Sequence, residues 1–498
     1  MENLQSLREG LASGRLTGQK TLKLSGGQLS DGQLSDGQLS DGLSEFPLEI
    51  LALADSLELL VLSDNKLRSL PPEFAQLTQL KIVFFNNNLF EAFPAVLAKC
   101  PNLSMISFKG NQLNVIPEGV LSPTVRWLIL TDNNISSLPN DIGQLGKLQK
   151  LMLAGNELRS LPANMKNCQS LELIRLSANQ LTTLPKWLFA LPRLAWLAYA
   201  GNPFHAQLRA ARSGKTDNRK PAPSVRLPLV TEDELVLEEV LGQGASGVIY
   251  KGKWRAQTVA VKRFKGDITS DGLPLDELRA CLAAGSHPNL VTVLGKVKKE
   301  GEKKETIREE SIRKESERKK HIDGDKDNIN ADESGLIFSF IPSEYHNLGG
   351  PPSLDSCTRD TYAEDVAFAL SVVLNIVRGI AGAITHLHAQ GITHGDLYAH
   401  NILINETGES ILGDFGAASF FDTADVATGE ALARLEVRAF GCLLEDLLER
   451  CHEEKDEARN ERWQATYSCL QQLKADCLQK DIVARPLFTE IVKQLNLL

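Results

Sequence analysis

Residues 148–162 read LQKLMLAGNELRSLP, and this stretch decides the fold of the first part of the chain. The leucines of LML at 151–153 alternate with period two, which is typical of a short strand whose leucines turn inward. The side chain of Asn156 can satisfy backbone groups where the strand turns. Pro162 breaks the next segment into extended or loosely helical backbone. The stretch therefore predicts a strand, a turn and a return segment, which together cannot bury an apolar face alone.

The same pattern recurs over the first two fifths of the chain at steps of 22 or 23 residues. It resembles the leucine-rich repeat of the intracellular LxxLxLxxNxLxxLP type, which implies that the units stack into a curved solenoid. We assign residues 1–204 to this domain. The asparagines stand at positions 65, 88, 111, 133, 156, 179 and 202, and the prolines at 71, 94, 117, 139, 162 and 185.

The beginning of the repeat region is irregular. Residues 28–42 read QLSDG three times, and a period of five does not fit the solenoid. We interpret this stretch as a low-complexity insertion in or before a degenerate first repeat, with Pro47 as the proline of that repeat.

Two columns of strand residues should face outward on the concave side of the solenoid, yet they are largely apolar. A broad exposed apolar strip usually marks a protein interface. We expect it to bind a protein ligand or the second half of this chain, with Trp127 and Trp196 as anchors. The alternative is that neighbouring repeats or the rest of this chain partly cover the strip. The columns are Leu59, Ile82, Met105, Trp127, Lys150, Leu173 and Trp196, and Val61, Phe84, Ser107, Ile129, Met152, Arg175 and Ala198.

Composition limits the class of protein. The 498 residues carry a net charge of −9, which argues against a protein whose main work is to coat nucleic acid. No run of about 18 apolar residues predicts a membrane span, and the N-terminus shows no apolar segment of a signal peptide. The eight cysteines are scattered, as expected for reduced thiols. We therefore expect a cytoplasmic protein, with residues 205–228 as a basic linker after the repeats.

Glycines 242, 244 and 247 follow the linker in the pattern GxGxxG. Glycine allows backbone amides to approach phosphates closely. A dinucleotide-binding fold is the alternative, but it needs a helix directly after the glycines, and here VIYKGKW predicts a strand. VAVK then places Lys262 on the next strand, where it can pair with phosphates and a helix carboxylate. We expect Glu277 to be that carboxylate, with Asp276 as second choice.

Residues 393–403 read THGDLYAHNIL, and residues 414–416 read DFG. Together with the glycines, Lys262 and CLQKDIVARPLF near the end, this order resembles the protein kinase family, in its tyrosine-kinase-like branch, over residues 229–498. The predicted fold class is multidomain: an α/β leucine-rich-repeat solenoid followed by an α+β bilobal protein kinase domain. The closest resemblance is to an intracellular leucine-rich-repeat protein kinase of probable Ser/Thr specificity. A charged, nearly apolar-free insertion at about 298–334 should form a solvated loop.

The resemblance implies that ATP and Mg²⁺ are used and that a protein is the substrate. Asp396 would accept the proton of the substrate hydroxyl, while Asn401 and Asp414 would hold Mg²⁺. Lys262 and Glu277 would orient the phosphates of ATP. Phe338 would stand at the entrance of the adenine site, although core packing is the alternative for the apolar residues. Nucleotide contacts are expected from Leu241, Gly242, Gly244, Gly247, Ile249, Ala260, Lys262 and Leu403.

Several positions depart from the family pattern. Gly395 stands where an arginine usually precedes the catalytic aspartate, and Tyr398 replaces a lysine that contacts the γ-phosphate. Glu436 replaces an aspartate, and no APE motif occurs between Asp414 and Glu436. Arg485, which would pair with the APE glutamate, has at best Glu430 as a substitute. We therefore expect substrate docking, more than ATP binding, to differ from the family pattern.

The leading interpretation is an active protein kinase that phosphorylates Ser or Thr and acts in signal transduction, with the repeats as a protein-binding or regulatory module. The alternative is a catalytically weak pseudokinase that acts as a repeat-bearing scaffold. The intact set of Lys262, Asp396, Asn401 and Asp414 favours activity. Because Gly395 cannot pair with a phosphate, we expect activity without phosphorylation of the activation segment. The hydroxyls of that segment are Ser419, Thr423 and Thr428.

Overall fold

The fold is described from a computed structural model of the chain. It describes residues 2–26, 28–29, 42–204, 227–244, 247–264, 268–298, 333–452 and 457–498. Most of the predicted low-complexity insertion, basic linker and charged insertion lies outside these residues. The described part divides into two compact units, one drawn from Met1–Lys215, Asp267–Leu290 and Ser343–Leu498, and the other from Thr216–Gly266 and Val291–Pro342.

The repeats form a parallel sheet of the first unit, in which each strand pairs with the next repeat at the same register. Strand β1 (Thr21–Ser25) comes before the first predicted asparagine, carries the short antiparallel β2 (Gln28–Leu29) on its outer edge, and pairs with β3. The helix α1 (Glu2–Ala12) covers this end of the solenoid. The following strands are Leu59–Val61 (β3), Ile82–Phe84 (β4), Met105–Ser107 (β5), Trp127–Ile129 (β6), Lys150–Met152 (β7), Leu173–Arg175 (β8) and Trp196–Ala198 (β9).

The repeat asparagines are buried and form a continuous ladder of hydrogen bonds. Asn156 Oδ1 accepts the Ile135 N–H at 3.0 Å, and its Nδ2 donates to the carbonyls of Leu130 at 2.9 Å and Leu153 at 3.0 Å. Each asparagine thus satisfies backbone groups of its own repeat and of the one before it, as the sequence pattern predicts.

Short 3-10 helices form the return segments, each beginning directly after a proline. Pro47 stands in this position too, as expected for the proline of the first repeat. Turns replace the helix after Pro117, where the repeat is one residue shorter and contains the second proline Pro123. The helices are Leu48–Leu53, Pro72–Gln76, Ala95–Lys99, Asn140–Gln144, Ala163–Asn167 and Lys186–Ala190.

The second unit is a six-stranded sheet with the order β10-β14-β15-β13-β12-β11. Val259, Val261 and Ile337 are fully buried at its core. A strand follows the glycine segment, as the sequence predicts. The strands are Leu229–Val230 (β10), Leu235–Gln243 (β11), Gly247–Trp254 (β12), Gln257–Phe264 (β13), Val293–Lys298 (β14) and Glu333–Ser339 (β15).

The rest of the first unit is mainly helical. Its helices are Pro274–Ala284 (α2), Leu370–Ala389 (α3), Val426–Glu449 (α4), Glu457–Cys477 (α5) and Phe488–Leu495 (α6). Its short strands are His346–Asn347 (β16), Ile402–Ile404 (β18) and Ser410–Leu412 (β19), in one sheet, and Ile392–Thr393 (β17) and Ser419–Phe420 (β20), which pair with each other.

Helix α3 is the one helix in the described residues that is long and apolar enough to cross a membrane by length and composition. Half of its most apolar stretch is buried inside the protein, as in the core helix of a folded domain. This is weak support for a span, because core helices pass the same test.

One apolar cluster continues from the repeats into the helical part of the first unit. The buried leucines of the solenoid and Tyr199 belong to it, together with Phe421, Leu432, Leu435 and Ile482 from the second half of the sequence. Burial of such side chains stabilises each by about 1.5–3 kcal/mol relative to exposure. The repeats and the helical part therefore share a core.

We expect Asn156→Ala to lower the free energy of unfolding by about 3 kcal/mol, because the Ile135 N–H and two buried carbonyls lose their partner. Denaturant titration of the full chain measures this. Asn167→Ala, at an exposed asparagine of a return helix, is the matched control, with a change below about 0.5 kcal/mol. Equal changes in the free energy of unfolding for the two variants would contradict a stabilising role of the asparagine ladder.

Candidate active site

The backbone of the loop at 393–401 is fixed from two sides. His394 is buried, and its Nε2 lies 2.9 Å from the Gly413 carbonyl oxygen. The Gly395 N–H donates to Glu436 Oε1 at 2.7 Å, and Glu436 Oε2 lies 2.7 Å from His388 Nε2. Glu436 thus anchors this loop although it is one methylene longer than the aspartate of the family pattern.

Glu436 is an ionised group inside the core. Its burial alone would raise the pKa of its carboxyl group, but the hydrogen bond and charge of His388, the imidazole of His394 and the Gly395 N–H outweigh that effect. The pKa of Glu436 is therefore held below its ordinary value, and the carboxylate form, which can only accept hydrogen bonds, is the one that fits the site.

The predicted catalytic and metal-binding residues of the first unit come together. Asn401 Nδ2 donates to Asp396 Oδ2 at 2.8 Å and to the Asp396 carbonyl at 3.0 Å. The Gly413 N–H donates to the Asn401 carbonyl at 2.9 Å, which places Asp414 beside Asn401. Asp414 is exposed, and its backbone is left-handed with φ of 51°. The carboxylate and amide oxygens of this group are of the type that Mg²⁺ prefers.

The two candidate carboxylates on helix α2, Glu277 and Asp276, are both buried, but they face different parts of the first unit. Glu277 faces the DFG segment, since a Cβ atom on Gly416 would lie 3.9 Å from Glu277 Oε2. Asp276 faces the repeats, where a Cβ on Gly201 would lie 2.9 Å from Asp276 Oδ2. This favours Glu277 over Asp276 as the functional carboxylate. Its predicted partner Lys262 lies in the second unit.

The glycine segment of the second unit fits a phosphate-binding role. A Cβ on Gly242 or Gly244 would meet no described heavy atom within 4 Å, so the backbone there borders open space. At Gly247 a Cβ would come within 2.2 Å of the Arg263 carbonyl oxygen, so the neighbouring strand requires glycine. Two of the three glycines are thus free to face a ligand, and the third is structural.

The remaining predicted nucleotide contacts are distributed between the two units. Lys262 is buried on β13, opposite Ile249 on β12. Leu241 is 47% exposed, and Ile249, Ala260 and Leu403 are half-buried. Leu403 lies on β18 of the first unit, and the other three lie in the second. Because none of the four is fully buried, core packing alone does not account for their apolar side chains.

Arg175 of the repeats is a site residue that sequence reasoning missed. It projects from β8, and its side chain is only 3% exposed. Its Nη2 donates to Asp396 Oδ1, its Nη1 donates to the Gly395 carbonyl at 2.9 Å, and its Nε donates to Asp271 Oδ1 at 2.7 Å. The available signal was a single arginine in a concave column that is otherwise free of charged residues.

Two carboxylates keep the Arg175 guanidinium charged. Burial alone would lower the pKa of Arg175, but the negative charges of Asp396 and Asp271 outweigh it and hold the pKa above its ordinary value. A buried arginine without such partners would cost several kcal/mol in desolvation. Arg175 therefore depends on both carboxylates.

The two predicted tryptophan anchors differ in their surroundings. Trp196 stacks on Tyr398, with ring centroids 4.5 Å apart, and its Nε1–H donates to the Leu397 carbonyl at 3.0 Å. Trp127 instead lies under Lys150, whose Nζ is 4.2 Å from the ring centroid. The C-terminal end of the concave strip thus contacts the loop at 393–401, which we call the catalytic loop, through Trp196.

The contact with the repeats explains the departure at Gly395. This residue is left-handed, with φ of 74°, and a Cβ would lie 2.8 Å from the Leu197 carbonyl oxygen and 2.6 Å from that of Ala417. A side chain at position 395, such as the usual arginine, would collide with strand β9. Tyr398, which replaces the usual lysine, fills the space under Trp196.

The prediction that Glu430 replaces the APE glutamate as the partner of Arg485 is wrong. Arg485 is buried and donates to three backbone carbonyls, those of Gln479, Arg434 and Pro192. Glu430 instead pairs with Arg434 at 2.6 Å. Arg485 therefore joins helix α4, through the Arg434 carbonyl, to the last repeat, through the Pro192 carbonyl.

Comparison with known proteins agrees with both halves of the chain. Residues 235–442 match the family described as protein tyrosine and serine/threonine kinase. Residues 56–77 and 147–204 match leucine-rich repeat families. The match to the kinase family begins at β11 and ends within α4.

Three similar curated proteins are protein kinases by name. The probable serine/threonine-protein kinase gdt4 of Dictyostelium discoideum is 27% identical over 34% of this chain and 8% of its own length. Cysteine-rich receptor-like protein kinase 37 of Arabidopsis thaliana is 27% identical over 40% of this chain and 25% of its own length. The human serine/threonine-protein kinase TNNI3K is 23% identical over 39% of this chain and 19% of its own length.

The alignments therefore span a quarter or less of the length of these relatives. They support a protein kinase domain in this chain. The family matches agree with this, as do the order of the catalytic segments and, for the repeats, the ladder of asparagines. The chain carries leucine-rich repeats followed by a protein kinase domain.

Proposed function

We propose that this protein transfers the γ-phosphate of ATP to serine or threonine of a protein substrate. The observation that carries the proposal is the hydrogen bond from Asn401 to the Asp396 carboxylate, together with the backbone bond that fixes Gly413, the residue before Asp414, to Asn401. Transfer of this kind depends mainly on positioning and electrostatics, which such a preformed group supplies. The names of the similar proteins favour Ser/Thr over Tyr.

Each residue has a role in this proposal. Asp396 accepts the proton of the attacking hydroxyl, and Asn401 orients its carboxylate. Lys262 and Glu277 position the phosphates, while the open backbone of the glycine segment cradles them. Asn401 and Asp414 would hold Mg²⁺, which neutralises charge on the phosphates when it is bound. The apolar nucleotide contacts are proposed for Leu241, Ile249, Ala260 and Leu403.

The alternative is a weakly active or inactive scaffold. One observation favours it: the Asp396 carboxylate already accepts a hydrogen bond from Arg175. Against it stands the retention of Lys262, Asp396, Asn401 and Asp414. A carboxylate can accept about four hydrogen bonds, so the contacts from Arg175 and Asn401 leave Asp396 able to act as a base.

The repeats support a second role, in protein binding. Leu59, Ile82 and Trp127 on the concave strands remain half-exposed, whereas Leu173 and Trp196 are buried in the first unit. The N-terminal part of the apolar strip is thus free to bind a protein partner. We propose a cytoplasmic location from the reduced-cysteine composition, since all eight cysteines are free thiols.

We expect Asp396→Asn, Asp414→Ala and Lys262→Ala each to reduce phosphate transfer by at least about a hundredfold. Transfer of labelled phosphate from ATP, followed by mapping of the modified residue, measures both the rate and the Ser/Thr preference. Asp414→Ala should also remove Mg²⁺-dependent nucleotide binding. Asp365→Asn, at an exposed aspartate outside the site, is the control. Wild-type turnover in Asp396→Asn, or none in the wild type, would overturn the proposal.

Activity should not require phosphorylation of the activation segment. Ser419 is fully buried, and its Oγ accepts the Tyr199 N–H at 3.0 Å, so a phosphate there would break the packing of the repeats. Gly395 offers no side chain to bind a phosphate on Thr423 or Thr428. We expect the Thr423→Ala/Thr428→Ala protein, and the phosphatase-treated wild type, to keep their rates within about tenfold of the untreated protein. A larger loss in either sample would show that the segment is a switch.

A further inference from the structure

Arg175 joins three parts of the first unit. Its guanidinium links strand β8 of the repeats to Asp396 and Gly395 in the catalytic loop, and to Asp271 in the segment before α2. We propose that Arg175 is a positioning residue for phosphate transfer and that the repeats are a constitutive part of the active site. This inference rests on the proposed kinase function and assigns a new residue, from outside the kinase domain, to the same site.

The geometry at Asp396 supports a positioning role. Arg175 Nη2 donates to Oδ1, and Asn401 Nδ2 donates to Oδ2, so both carboxylate oxygens are held and the side chain cannot rotate freely. Arg175 also binds the carbonyl of the preceding residue, which fixes the backbone that carries the aspartate. A base fixed in this way contributes through orientation, since small displacements of a catalytic group cost large factors in rate.

The contact with Asp271 extends the effect to helix α2. Asp271 precedes this helix by three residues, and the helix carries Glu277. The same segment packs on the repeats, since a Cβ on Gly155 would lie 2.9 Å from Ile268 and one on Gly272 would lie 3.0 Å from Ser177. Arg175 thus ties the helix to the catalytic loop, two elements that kinases often bring into register through a phosphorylated loop.

The interface between the repeats and the catalytic part of the first unit is stable, because its contacts are buried. Gly395 has no side chain because strand β9 approaches it, Trp196 is 2% exposed, and Arg485 is buried against the Pro192 carbonyl. Separation would expose the shared apolar cluster and remove all the hydrogen-bond partners named above for the Arg175 side chain. Breaking a buried charge pair is strongly destabilising, because it leaves a buried charge without its partner. A contact of this kind acts as part of the site, whereas a releasable inhibitor would need a weaker one.

The test compares Arg175→Ala with Arg68→Ala in the full chain. Arg68 pairs with Glu91 on the exposed surface of an early repeat, so its removal should leave transfer unchanged. For Arg175→Ala we expect kcat to fall by about a hundredfold, with little change in KM for ATP. Millimolar methylguanidinium, but not methylammonium, should restore part of kcat. Arg175→Lys should retain more activity than Arg175→Ala, because it keeps the charge but not the fork of donors.

Two results would overturn the inference. A kcat of Arg175→Ala above the wild type would show that the contact inhibits, and a kcat within about threefold of the wild type would show that it has no catalytic role. If Arg175→Ala does not fold, Asp271→Asn removes one of the two negative charges that contact Arg175 while leaving Arg175 paired with Asp396, and we expect a smaller fall in kcat from it. An unchanged kcat in Asp271→Asn would then count against the proposed link to α2.

A readout besides activity separates this inference from the kinase proposal. In hydrogen–deuterium exchange, Arg175→Ala should lose protection at both 268–273 and 393–401, while Arg68→Ala should not. If the wild type is inactive but Arg175→Ala still loses this protection, the kinase proposal is refuted, whereas the role of Arg175 in fixing these two segments stands. Unchanged protection in Arg175→Ala would refute the positioning role whether or not the wild type is active.

Discussion

A buried guanidinium is the constraint on which the arrangement of this protein depends. Arg175 is removed from water at the end of the solenoid, and only the carboxylates of Asp271 and Asp396 and one backbone carbonyl compensate its desolvation. Because this charge cannot be buried alone, the repeat strand, the segment before α2 and the catalytic loop must fold together. The continuous apolar cluster between the repeats and helix α4 reinforces the same association.

The regular register of the repeats determines what reaches the catalytic loop. Each strand pairs with its neighbour at the same offset, so Arg175 on β8 and Trp196 on β9 project from one face of the sheet. The kinase half is matched to this face: Gly395 makes room for the Leu197 carbonyl, and Tyr398 stacks under Trp196. Two of the residues that depart from the kinase pattern, Gly395 and Tyr398, are thus residues that contact the repeats, and their departure does not by itself imply a loss of activity.

Much of the fold follows from the sequence, because local rules determine it. The asparagine and proline spacing predicts each repeat strand and most return helices, and the order of motifs predicts the catalytic loop and the strand after the glycines. The position of Arg175 could not be predicted, because periodicity identifies the face of a strand but not what covers that face. The contacts of Arg485 were missed for a similar reason, since its partners are backbone carbonyls, which have no sequence signature.

The central claim is that the repeats and the catalytic loop form one cooperative unit. Hydrogen–deuterium exchange of the wild-type chain at increasing denaturant measures the opening free energy of each segment. We expect the amides of strands β8 and β9 and those of residues 393–401 to share one opening free energy, within about 1 kcal/mol. Opening of the catalytic loop at low denaturant, while the repeat strands stay protected, would contradict the claim.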